Sequence, residues 1–244
     1  MSANFETTVK LPSKGLLYKN IPEDITLRCM TTEEEKILYA STGGNSFHKI
    51  LSNCIVNPKN IDLNELVYSD EHFLILQLRS HTYGADYTVT GKCPNCGHEE
   101  SFTINLDEFD INYLDEDFEE PIEITLPVSK DKLSLKLLRN RDLEQINKQS
   151  KKLSKSTGAS SRELEYILRM AKAILKVNDK EFDFTDAQTY VSKMHSRDSA
   201  YFHFMMGKIK LGVDTTVMVT CNRCDEDYDF AMPITSEFFR PRFE

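Results

Sequence analysis

The spacing of hydrophobic and polar positions changes several times along the chain, and each change predicts an element. Phe5, Thr7, Val9 and Leu11 alternate with polar neighbours, the pattern of a strand. Pro12-Ser13-Lys14-Gly15 then makes a turn before the apolar Leu16-Leu17-Tyr18, and Ile25, Leu27 and Cys29 resume the alternation. Thr31-Thr32-Glu33-Glu34-Glu35 carries two overlapping capping boxes, Thr31 with Glu34 and Thr32 with Glu35, so a helix is expected over 32–41. Gly43-Gly44 ends it, Asn45 or Ser46 caps a second helix through Cys54, and Pro58 breaks the chain. Ser69 or Asp70 caps a helix that is apolar almost all round over Phe73-Leu74-Ile75-Leu76-Gln77-Leu78 and stops near Gly84. Such a helix should be buried at the centre of its half. Strands over 86–92 and 100–106 then form a β-hairpin.

Residues 107–121 carry eight acids interleaved with Phe109, Ile111, Tyr113, Leu114 and Phe118. They read as a solvated connection across the surface, and they lack the order of acids and glycine of an EF-hand. Strands 122–128 and 133–138 follow, then a helix from about 140. The polar, basic stretch from Lys148 to Gly158 reads as a frayed helix end and a mobile loop. Ser160 or Ser161 caps a helix with Leu164, Ile167, Leu168, Ala171 and Leu175 on one stripe. After a turn at 178–181, Thr185 caps a further helix. Ser196 caps an apolar one reaching Gly212, and a hairpin spans 214–234.

The order of these pieces repeats. Without gaps, Tyr83-Gly84-Ala85-Asp86-Tyr87-Thr88-Val89-Thr90-Gly91-Lys92-Cys93 lies over Leu211-Gly212-Val213-Asp214-Thr215-Thr216-Val217-Met218-Val219-Thr220-Cys221, and Phe102 lies over Phe230. Upstream, Lys10-Leu11-Pro12 resembles Thr125-Leu126-Pro127, and Thr26-Leu27-Arg28 resembles Ser134-Leu135-Lys136. The expected fold class is therefore α+β: two tandem duplicated mixed α/β halves, 1–106 and 122–244, joined by the acidic linker 107–121. Helix 70–82 should match helix 198–210.

Each half ends in a hairpin with a C-x-x-C turn at its tip, Cys93-Pro94-Asn95-Cys96 and Cys221-Asn222-Arg223-Cys224. A C-x-x-C turn aims two thiolates at one point, and two such turns supply a closed tetrahedral zinc site of Cys93, Cys96, Cys221 and Cys224. Gly97 suits the knuckle backbone, whereas Asp225 at the matching position does not. A thioredoxin-like redox reading needs the C-x-x-C to open a helix, and here each lies between strands. Cys29 and Cys54 sit among apolar residues and read as core.

Composition narrows the function classes. The chain has 244 residues and a net charge of −9, which disfavours non-specific binding to nucleic acid or anionic lipid. Acids outnumber Lys92 and Arg223 around the knuckles, which disfavours a nucleic-acid-binding ribbon. No apolar run approaches a membrane span, and no signal-peptide pattern opens the chain, so an intracellular protein with reduced cysteines is expected. His72, His81, His195 and His203 fall on expected helices and make no site. No H-E-x-x-H, G-x-S-x-G or phosphate-binding glycine loop occurs, so the chain reads as non-enzymatic.

The opening Val9-Lys10-Leu11-Pro12-Ser13-Lys14-Gly15-Leu16-Leu17-Tyr18 resembles the start of the baseplate hub or hub-assembly proteins of T4-like bacteriophages, and length and paired C-x-x-C knuckles are similar as well. That resemblance implies a role in building the central hub of the tail baseplate, as a component or an assembly factor. Its partners would be other hub proteins, in the host cytoplasm during assembly or in the tail baseplate of the virion. The alternative is a zinc-ribbon regulator of transcription or of a nucleic-acid machine. The terminal Phe238, Phe239 and Phe243 leave two readings open: a tail that fills a groove beside the second hairpin, or an arm that docks on another protein.

Overall fold

The computed structural model describes residues 5–40 and 45–240. Gly43-Gly44, expected to end the first helix, and Pro241, Arg242 and Phe243 of the tail lie outside the described residues. The N-terminal alternation forms β1 (Glu6–Lys10) and β2 (Asp24–Arg28), an antiparallel pair. α1 (Thr32–Ala40) starts at one of the two capping boxes: the Thr31 N–H and hydroxyl both donate to Glu34 Oε2 over 2.9 Å. α2 (Asn45–Cys54) runs without a loop into β3 (Ile55–Asn57), a strand that periodicity does not reveal, on the far side of β2. α3 (Tyr68–Tyr83) buries Phe73, Leu74, Ile75, Leu76 and Leu78, as its apolar circumference requires. β4 (Asp86–Lys92) and β5 (Glu99–Asn105) make the first hairpin.

The acidic segment is anchored at several points. It contributes β6 (Ile111–Asn112), buries Leu114, and its Leu114 N–H donates to Pro12 O over 2.9 Å. Glu120 pairs with Arg139 over 2.6 Å and accepts from the Leu137 N–H. The chain then forms β7 (Ile122–Thr125), β8 (Lys132–Leu135), α4 (Asn140–Thr157), α5 (Ser161–Ala173), β9 (Ile174–Val177), β10 (Lys180–Glu181), α6 (Phe184–Ser192) and α7 (Ser196–Gly207). β11 (Gly212–Val213) pairs with β6, and β12 (Thr216–Thr220) with β13 (Asp227–Ala231) makes the second hairpin.

Several local expectations are corrected. Residues 148–157 are helical to the end, closed by Gly158 in the left-handed conformation with its N–H on Ser154 O. Asp183 caps α6 in place of Thr185, through Asp186 N at 2.8 Å. Leu175 belongs to β9 and is exposed. α7 is capped by the His195 ring and stops at Gly207, well before Gly212. Gly212 instead lies against α3, where a side chain would fall 2.8 Å from Ser69 Cβ, and its φ of 98° suits only glycine.

Neither Ser69 nor Asp70 caps α3. Val67 is the N-cap residue and makes no side-chain cap, while Asp70 turns away from the helix. Its buried carboxylate accepts from the Ser13 N–H over 3.0 Å, from the Ser13 hydroxyl, and from the Tyr18 hydroxyl over 2.6 Å. Arg139 stacks over the Tyr18 ring and donates to Leu17 O, so the 9–18 motif is held between α3 and the start of α4.

The order strand, strand, helix, helix, strand occurs in both parts, as β1-β2-α1-α2-β3 and β7-β8-α4-α5-β9; the first is followed by α3 and a hairpin, the second by β10, the two helices α6 and α7, and β11 before its hairpin. Details agree as well. The register shifts between Thr26 and Leu27 in one sheet and between Ser134 and Leu135 in the other. Arg28 pairs with the buried Glu34 over 2.9 Å, and Lys136 with the buried Asp142 over 2.6 Å.

Candidate metal centre

The two knuckles have the same backbone. Cys93 N–H donates to His98 O over 2.8 Å and Gly97 N–H to Cys93 O over 3.0 Å; Cys221 N–H donates to Glu226 O over 2.9 Å and Asp225 N–H to Cys221 O over 3.0 Å. That turn requires a left-handed residue after the second cysteine. Gly97 takes it with φ 70° and Asp225 with φ 55°, so Asp225 does adopt the knuckle conformation expected to be difficult for it. Aspartate is among the few residues with a side chain that visit this region readily.

Sulfurs of the two turns approach each other closely: Cys93 Sγ lies 3.8 Å from Cys224 Sγ, and Cys96 Sγ 3.7 Å from Cys221 Sγ. All four sulfurs lie within 4.8 Å of one another. A disulfide would need about 2.0 Å. Four sulfurs about 2.3 Å from one tetrahedral ion stand about 3.8 Å apart, so the cluster is the right size for one metal ion. His98 is not part of it, and Asn95 Nδ2 approaches Cys224 Sγ at 3.7 Å.

The hairpins are held together below this tip. Phe102 and Phe230 meet edge to face at 5.1 Å, and Tyr228 packs against the buried Cys93 and Cys221. Sequence alignment singles out both phenylalanines, but nothing in it singles out Tyr228 or Asn95. The backbone N–H of Cys96, helped by that of Asn95, holds the Cys93 thiol down at about 7. At Cys224 the Glu226 N–H acts in the same direction, but burial and three neighbouring sulfurs prevail and push the thiol up to about 12. Successive thiolates in one cluster repel, and a cation among them removes that repulsion. Elsewhere Cys54 is core, with burial pushing its thiol up to about 12, and Cys29 is half-buried with its thiol on His81 O.

Fold and site together define a class: an α+β protein whose two hairpins converge on a four-cysteine cluster. The chain matches the family described as T4 bacteriophage base plate protein over residues 2–240, and it belongs to that family. No curated protein and no solved structure matches it. Among the described residues, no helix is long and apolar enough to cross a membrane.

Proposed function

We propose that this chain is a non-enzymatic structural protein of the baseplate hub, either a hub component or a factor in hub assembly. On this reading it contacts other hub proteins in the host cytoplasm during assembly. Family membership over nearly the whole chain is the observation that carries the baseplate role. The acidic surroundings of the knuckles favour a protein partner over nucleic acid.

The metal in this reading is zinc, held by Cys93, Cys96, Cys221 and Cys224. Four thiolates fill a tetrahedron and leave no open position, which suits a structural rather than a catalytic ion. Zinc there would cross-link hairpins separated by more than a hundred residues of chain. We further read the chain as a tandem duplication, with halves 1–106 and 122–244 and the linker 107–121 between them. The shared strand and helix order, the matching register shifts and the matching knuckle backbone support that reading.

Two measurements test it. Elemental analysis of protein purified without chelator should find about one zinc per chain. Tagged protein from infected cells should bring down tail baseplate proteins and should pass through a nucleic-acid column at moderate salt. Zinc-free protein that is fully folded, or retention on nucleic acid without tail proteins, would contradict the corresponding part.

A further inference from the structure

α1 and α4 both hold their buried, ion-paired acid at the third position, but α1 has nine residues and α4 eighteen. The additional turns carry Lys151, Lys152 and Lys155, and Lys148 stands just before them. Spacings of three and four residues set these lysines on one face of the helix, and all are exposed. Lys148 is paired with Glu144 over 2.6 Å. Among the described residues, Lys151, Lys152 and Lys155 are within ion-pair distance of no carboxylate. The helix dipole favours a cation in the last turn, which accounts for Lys155 but not for the other two. A block of positive charge therefore stands on the surface of a chain whose net charge is −9.

The complementary charge lies on the same molecule, in the segment that connects the two parts. Glu108, Asp110, Asp115, Glu116, Asp117 and Glu119 are exposed there, and among the described residues none is within ion-pair distance of a cation. Tyr113, also exposed, stands among them. The segment is not free to swing onto its own α4. The Leu114 N–H holds it to Pro12 O, β6 to β11, and Glu120 to Arg139.

We propose that the lysine face of α4 is a docking surface for the acidic segment of a second copy of this chain. Lys151, Lys152 and Lys155 of one copy would meet Asp115, Glu116 and Asp117 of the next, with a lysine stem lying on the Tyr113 ring. At about 0.1 M salt the repulsion between two copies of net charge −9 fades within about 10 Å, so the local match of charge decides which surfaces stay together. The two patches differ and lie on different elements. The contact is therefore head to tail, and it repeats from copy to copy into a ring or a chain. Exposed ion pairs are individually weak, so the contact depends on several of them together and on salt. Nucleic acid is the other polyanion that lysines meet, and the excess of acid on this chain opposes it. The inference needs neither the zinc nor the hub assignment.

The test is sedimentation velocity of the full chain over a range of concentrations. At about 0.1 M salt the wild type should self-associate, and at about 1 M, where screening acts within about 3 Å, association should weaken about tenfold or more. Combined Lys151→Glu, Lys152→Glu and Lys155→Glu should sediment as a monomer, and so should combined Asp115→Lys, Glu116→Lys and Asp117→Lys. An equimolar mixture of the two should associate again, because each then offers the charge the other has lost. Lys→Gln at the same three positions spares the end of α4 from like-charge repulsion and should still weaken association about tenfold. Circular dichroism confirms that each variant is folded. A wild type that stays monomeric at 0.1 M salt, association indifferent to salt, folded variants that associate like the wild type, or a mixture that remains monomeric would each overturn the proposal. Binding of duplex DNA by the wild type that the lysine variants lose would overturn it as well, in favour of nucleic acid.

Discussion

The two hydrophobic cores of this protein are closed by different means. The second is built wholly from residues between Ile122 and Met206. The first begins at the N-terminal strands and α3, and it takes in Met232, Phe238 and Phe239 from the far end of the chain. Phe238 meets Tyr87 edge to face at 5.0 Å, and its carbonyl accepts from the buried Arg79 over 2.8 Å. Gly207, at the position of α7 that matches Arg79 of α3, offers no such donor. The shared strand-and-helix order has therefore been closed once with the help of α6, through Ala187 and Val191, and once by a distant segment. Of the two readings of the tail, Phe238 and Phe239 follow the one in which it folds back, although onto the first core rather than into a groove beside the second hairpin.

That difference can be broken most severely at the knuckles. Removing the metal with a strong chelator, or Cys224→Ser, should lower the melting temperature by roughly 10 °C or more if zinc staples the hairpins. Hydrogen exchange should then rise in α3 and β2 before it rises in β8. An unchanged melting curve after chelation would remove the staple.

Phe238→Ala should come next, at about 3–5 kcal/mol for a fully buried aromatic truncated in a packed core. Chemical denaturation should show this loss, with protection in β8 and β9 little affected. A free docking arm would instead leave stability unchanged.

A smaller effect is expected at the buried ion pair of Arg28 and Glu34. Arg28 and the Thr31 N–H and hydroxyl outweigh burial at Glu34 and hold its carboxyl down at about 2. A carboxyl depressed in the folded state stabilises above its unfolded value of about 4.3, and that contribution is lost as pH falls from there towards 2. Stability of the wild type should decline through this window, and Glu34→Gln should flatten the decline.

The smallest effect is at the knuckle backbone. Asp225→Gly should be close to neutral, whereas Asp225→Val should cost about 1–2 kcal/mol because φ 55° disfavours a branched side chain. Equal melting temperatures for the two variants would show that the left-handed turn is not required.

Much of the local structure was legible in the sequence for local reasons. The box of Thr31 and Glu34 is satisfied within one helical turn, so its signal and its contact are the same residues. The circumference of α3 announces burial on all sides, and both hairpins follow from alternation around a turn. β3, β6 and β11 were not legible, because strands of two or three residues have no period to read. The basic end of α4 was misread for a related reason: its lysines favour solvent, but solvent is also where one face of an amphipathic helix belongs.

The residues of the candidate site were readable by type and spacing, because two C-x-x-C turns offer four thiolates wherever the chain places them. Their convergence depends on contacts far apart in sequence: the Phe102–Phe230 pair, the β6–β11 ladder and the approach of Gly212 to α3. Asp70 shows the same limit most plainly. By itself the sequence marked it as a helix cap, since an acidic residue before an apolar run ordinarily bonds its own helix. Only the tertiary structure could turn it towards Ser13 and Tyr18, because a buried carboxylate goes to whichever donors the fold brings within reach, and those lie more than fifty residues away.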